Sequence, residues 1–114
     1  MAEPDPLDRI VVSDTARQKR GRYLNEAAIV DALRSGEGYV CRKTSPSHDG
    51  LYEDDKFTMR GTFDGIDVDI VFVVEDDRVV VVTQMSQHAD SLRGRFHERV
   101  GSTAADAVAT VREA

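Results

Sequence analysis

The stretch Ile66 to Val74, IDVDIVFVV, sets Ile66, Val68, Ile70, Phe72 and Val74 in unbroken alternation, and Asp64-Gly65 stands directly before it. A sustained period of two is the mark of a strand with one buried face. Asp-Gly between two β-prone runs selects a two-residue hairpin, because the favoured turn needs positive φ at both central positions. The run before the turn, Lys56 to Phe63 (KFTMRGTF), carries Phe57, Met59 and Phe63 on one face with Gly61 between them. After it, Glu75-Asp76-Asp77-Arg78 reverses the chain, and Val79 to Met85 (VVVVTQM) returns apolar on both faces. Any fold of this chain must therefore accommodate a three-stranded antiparallel meander. The second face of Ile66 to Val74 begins with Asp67 and Asp69 and continues with Val71 and Val73, so it is wet at one end and covered at the other.

The flanks are helical by pattern. Residues 1–8 contain two prolines and three acids and precede any periodicity, which predicts a flexible tail. Arg9 to Val12 is a short β-prone run, and Ser13 or Asp14 can cap a helix over Thr15 to Tyr23 that breaks near Gly21. Asn25 caps a clearer helix, Glu26 to Ser35, with Ala28, Ile29, Ala32 and Leu33 as its apolar stripe, Arg34 in its last turn and Gly36 beyond. Tyr39 to Lys43 alternates like a strand before a loop-forming TSPSHDG. Beyond Met85, Ser86 can cap a helix on which Leu92, Phe96 and Val100 share a face with Ala89 beside them, stopped by Gly101. Ser102 or Thr103 then caps a last Ala-rich helix with Val108 and Val111. The order β-α-α-β-β-β-β-α predicts an α+β fold: an N-terminal strand, a helical hairpin, an antiparallel β-meander of about 4–5 strands, and a C-terminal helix or helices. Residues 9–100 form the domain on this reading, with 101–114 as a C-terminal helical segment.

Composition narrows the setting. With 114 residues, 40% apolar and 32% charged, the chain suits one small domain without a membrane span. The lone Cys41 cannot form an internal disulfide, and MAEPDPLDR lacks the basic and apolar parts of a secretory signal, so a cytoplasmic, reducing setting is expected. Fourteen of the 21 acids are aspartates and only three of the 15 basic residues are lysines. That bias resembles the cytosolic proteins of salt-loving archaea, in which high salt screens the repulsion of a negative surface.

Against a net charge of −6, the run Arg17, Lys19, Arg20, Arg22 is the feature that asks for a partner. Arg17 with Arg20, and Lys19 with Arg22, are i,i+3 neighbours on a helix and repel, which suits a solvated face or a contact with phosphates. Arg42 and Lys43 end one expected strand, and Lys56 and Arg60 lie on the next, so some of these could extend the positive surface. The competing reading pairs the helix cations with Asp8, Asp14, Glu26, Asp31 or the acidic loop that follows TSPSHDG. Other constellations point to ordinary structure. His48-Asp49 with Glu53, Asp54 and Asp55 matches no metal-ligand spacing, nor do His88-x-Asp90 and His97-Glu98. Cys41 beside Arg42 and Lys43 reads as a packed thiol, and Gly36-Glu37-Gly38 as a helix stop. No metal and no cofactor are expected.

The short strand, the helix with Thr15-Ala16 and Lys19 one turn on, the helix Ala27-Ala28-Ile29-Val30 to Leu33 bounded by Leu24-Asn25-Glu26 and Ser35-Gly36-Glu37, and the meander closing on Val80-Val81-Val82-Thr83 together resemble the RelE/ParE-like toxin superfamily, or a small group that shares its fold. The likeness spans Arg9 to Met85. It implies an RNA-directed protein, and in active members a metal-independent, ribosome-dependent endoribonuclease. Such cleavage needs a base, an acid and a cation for the phosphorane charge. Arg60 and either Arg42 or Lys43 are the candidate cations, and His88, just past the last meander strand, stands where the fold's C-terminal catalytic group would lie. Arg17, Lys19, Arg20, Arg22 and Arg42 are the candidate RNA-contacting residues. This chain has Thr15 where the group has a histidine, no tyrosine follows the meander, and the family's basic character is reduced. The expected function is thus RNA or ribosome contact without cleavage. The alternative is a non-catalytic interaction module, in which the apolar faces of Val79 to Val82 and of Leu92, Phe96 and Val100 are covered by a second copy or an antitoxin-like protein.

Overall fold

Asp64 and Gly65 adopt φ of 52° and 76°, the paired left-handed geometry of a type I′ turn, and the hairpin they close is the centre of the sheet. The computed structural model describes residues 5–19, 21, 23–42, 56–85 and 98–113. Within these the elements run β1 (Ile10–Val12), α1 (Asp14–Gln18), α2 (Glu26–Ser35), β2 (Tyr39–Arg42), β3 (Lys56–Phe63), β4 (Ile66–Val74), β5 (Val79–Met85), β6 (Glu98–Gly101) and α3 (Ala104–Glu113). The fold is α+β, with a six-stranded sheet of order β1-β5-β4-β3-β2-β6.

The meander is as the pattern predicts, with β3, β4 and β5 antiparallel neighbours. β1 joins in parallel, Ile10 opposite Val79 and Val12 opposite Val81. The helices carry the chain from β1 to β2 on the far side of the sheet, and the meander walks back until β5 meets β1.

Two expectations are corrected. Glu98–Gly101 is a strand and not the end of a helix. The outer edge of β2 would otherwise leave its backbone groups unpaired, and pairing with β6 satisfies them, so a non-local ladder overrides the helical spacing of Val100. Residues 86–97, with the rest of that expected helix, lie outside the described residues. The second correction concerns the tail. Pro6–Asp8 forms a short 3₁₀ turn capped by Asp5, whose carboxylate accepts from the Leu7 amide at 2.9 Å. Leu7 is buried, and Arg34 of α2 donates to its carbonyl at 3.0 Å and to that of Asp8 at 3.1 Å.

One face of the sheet carries the core. Phe57 and Phe72 stack with centroids 5.8 Å apart, and Val40, Met59, Val68, Ile70, Val79 and Val81 join Ile29, Ala32 and Leu33 of α2 and Ala104, Ala107 and Val108 of α3. α2 begins at Asn25, whose side chain accepts from the Ala28 amide at 2.9 Å, and ends at Gly36. Gly61 gives Phe63 its room, since a Cβ there would lie 2.7 Å from the ring's Cζ.

A bulge in β5 has the largest consequence for the helices. Phe72 faces Val81 but Val71 faces Thr83, so Val82 is an extra residue. Strict alternation would leave Gln84 opposite the helices; the bulge moves it to their side, where it is fully buried.

Candidate nucleic-acid interface

The first helix is shorter than its cation run suggests. α1 stops at Gln18, where the expected helix continues to Tyr23. Ser13 caps it, and the same hydroxyl donates to the Val82 carbonyl at 2.7 Å, tying the helix start to the β5 bulge. Lys19 at the C-cap turns back and its Nζ donates to Thr83 Oγ1 and to the Gln84 carbonyl, both at 2.9 Å. Gln84 completes the seam. Its Oε1 accepts from the Leu24 amide at 2.9 Å, and its Nε2 donates to the carbonyls of Ala16 at 3.0 Å and Leu24 at 2.8 Å. Lys19 is therefore a staple between the helical hairpin and the sheet, and the expected cationic ridge is corrected at this position. Arg17 pairs with Asp14 one turn before it on an exposed surface. Arg20 and Arg22 lie outside the described residues.

The sheet face turned away from the helices holds the other candidates. Cross-strand register brings Tyr39 opposite Arg60, Arg60 opposite Asp69, Cys41 opposite Thr58, and Arg99 opposite Cys41. Arg60 grips Asp69 with two parallel hydrogen bonds, Nε to Oδ1 at 2.8 Å and Nη2 to Oδ2 at 2.9 Å, while Asp69 is wholly buried. These bonds, above all, raise the Arg60 pKa from its usual value. The charge of Arg60 is thus compensated in place. Arg42 falls opposite Phe57 and so alternates onto the helix-bearing face, away from Arg60. Lys43 and His88 lie outside the described residues, as do the acidic loop with His48, and His97.

Sequence reasoning treated Asp69 only as part of a wet strand end. Counting back from the Asp64-Gly65 turn, however, pairs Phe63 with Ile66, Thr62 with Asp67, Gly61 with Val68 and then Arg60 with Asp69. The hairpin register alone carries that signal.

Tyr39 and Arg99 are the open part of this face. The Arg99 guanidinium lies 4.7 Å from the Tyr39 ring centroid, the tyrosine is 43% exposed, and Arg99 is exposed beside it. Lys56 lies on the same face of β3 and makes no ion pair among the described residues. Cys41 is buried beside them. Burial pushes its thiol pKa up, against a Tyr39 hydrogen bond and the positive charges of Arg99 and Arg60. Thr58 Oγ1 is buried and has no hydrogen-bond partner among the described residues.

Among the described residues no cluster of three metal-ligating side chains occurs, and no helix is long and apolar enough to cross a membrane. An open cleft of about 550 Å³ between α2 and the β3–β4 turn is lined by Ala28, Ala32, Phe63, Asp31 and Asp64 among others, with no basic residue among the described ones. Compared with protein-family models, curated proteins and solved structures, the chain matches none.

Proposed function

We propose that this chain is a toxin-like domain of the RelE/ParE kind that contacts RNA without cutting it, inside a cytoplasm rich in salt. The observation that carries the reading is the exposed Tyr39 ring under the Arg99 guanidinium, a flat aromatic and cationic pair on a sheet whose other side is core. Aromatic rings and guanidinium planes on open sheet faces suit RNA, because they offer stacking surface and positive charge together. The contact lies on β2 and β6 in this proposal, and α1 is left out of it, since Lys19 is spent on β5 and Arg17 on Asp14. Contact is favoured over cleavage because Arg60, the cation nearest a catalytic role, is already neutralised by a buried carboxylate.

The alternative of a homodimer or an antitoxin-like partner draws less support. Val79 and Val81 are buried in the core, Val80 and Val82 are half-buried, and Val100 packs against the same core from β6.

Amide chemical-shift mapping with a mixed-sequence RNA tests the proposal. Shifts should centre on Tyr39, Arg60 and Arg99 and spare Asp14 to Gln18. Shifts confined to α1, or none up to millimolar RNA, would refute it.

A further inference from the structure

We infer that the ligand of this face is an unpaired nucleobase, held chiefly by stacking, so that binding persists in concentrated salt. The inference rests on the RNA reading above and goes further in naming what touches the protein. Inside a duplex both faces of each internal base are taken by its neighbours, so along a strand it is the unpaired bases that can stack on the Tyr39 and Arg99 pair. Tyr39 is 43% exposed even with Arg99 over its ring, and Arg99 is itself exposed, so the pair offers an aromatic and a guanidinium surface to solvent.

Electrostatics point the same way. The protein carries −6 overall. Beyond the compensated Arg60, the described cations on this face are Arg99 and Lys56, enough for about two phosphates. Each single-strand phosphate neutralised adds roughly −0.7 to the slope of log affinity against log salt. Two give about −1.4, so a tenfold rise in salt weakens binding about 25-fold. A ridge of four cations would give about −2.8 and lose several hundredfold. Stacking contributes several-fold to about a hundredfold per base and is not screened by ions. A contact built from one aromatic stack and two charges is thus the kind that an acidic protein can keep in salt.

The test is fluorescence anisotropy of the full chain with labelled oligo(U) and with a blunt RNA duplex of the same length, from about 0.1 to about 1 M KCl. The expected result is preference for the single strand, a slope near −1.4, a loss of about tenfold in Tyr39→Leu and retention in Tyr39→Phe. Urea unfolding confirms that both variants stay folded. A duplex bound as tightly as the single strand, a slope steeper than about −2.5, or Tyr39→Leu binding as well as the native chain would overturn the inference while leaving RNA contact standing. Absence of binding to either probe would remove both.

Discussion

Replacing Gln84 by leucine should be among the most damaging single changes to this fold. The side chain is fully buried and makes three hydrogen bonds, to the Leu24 amide and to the carbonyls of Ala16 and Leu24. Leucine has a similar size and fits a strand, so the cost lies in the polar groups left behind. Each backbone group stranded away from water costs about 1–3 kcal/mol. Three of them, less about 1 kcal/mol regained from extra apolar burial, give a net loss of about 2–8 kcal/mol. A domain of this length has about 6–17 kcal/mol in all, so the variant should remain folded in most cases with a much lower urea midpoint. Amide exchange supplies the local signature. The Leu24 amide should lose its protection in Gln84→Leu beyond the change seen at Val68 or Ile70, because its acceptor is gone while the sheet remains. A midpoint shift worth less than about 1 kcal/mol, or an unchanged Leu24 amide, would show that the helical hairpin is not held to β5 by this side chain.

That seam marks the boundary of what the residues reveal in linear order. α2, β3 and β4 are legible because their information is local: a cap at Asn25, an Asp-Gly turn, and in β4 alternation that survives to the last residue. The bulge at Val82 has no such mark. VVVVTQM reads as one uniform strand, yet the inserted residue decides that Gln84 is the side chain buried beneath the helices. β6 was hidden for a related reason, since the spacing of Val100 is helical and only the open edge of β2 makes it a strand. The site divides along the same line. Arg60 with Asp69 follows from hairpin register, and so was available to counting. Tyr39 with Arg99 joins strands sixty residues apart in the chain and needs the edge pairing of β6, which no short-range pattern encodes.

Other expectations test the packing and the charges. At the start of α3, Asp106 Oδ2 accepts from the amides of Ser102 and Thr103 at 2.9 and 3.1 Å, which holds its pKa below the usual carboxylate value. Its contribution is therefore complete above the unfolded pKa near ~3.9 and disappears as pH falls through the folded one. Asp106→Ala should cost about 1 kcal/mol at neutral pH and nothing under strong acid, as read by urea unfolding across pH; a constant difference would refute the capping role. Gly101→Ala should produce a similar loss, because a Cβ there would lie 2.2 Å from Asp106 Oδ2. The Arg60 and Asp69 pair should respond asymmetrically, since the side chains are 38% and 0% exposed. Arg60→Met strands a carboxylate in the interior and should cost about 3–5 kcal/mol. Asp69→Val leaves an arginine that can reach water, and should cost about 1–2 kcal/mol. The double variant, Arg60→Met with Asp69→Val, should recover most of the loss, because two apolar side chains of that size leave no charge to desolvate. Equal single costs, or a double variant no better than Arg60→Met, would mean that the pair's charges are solvated in the folded chain and that Arg60 is held by something other than Asp69.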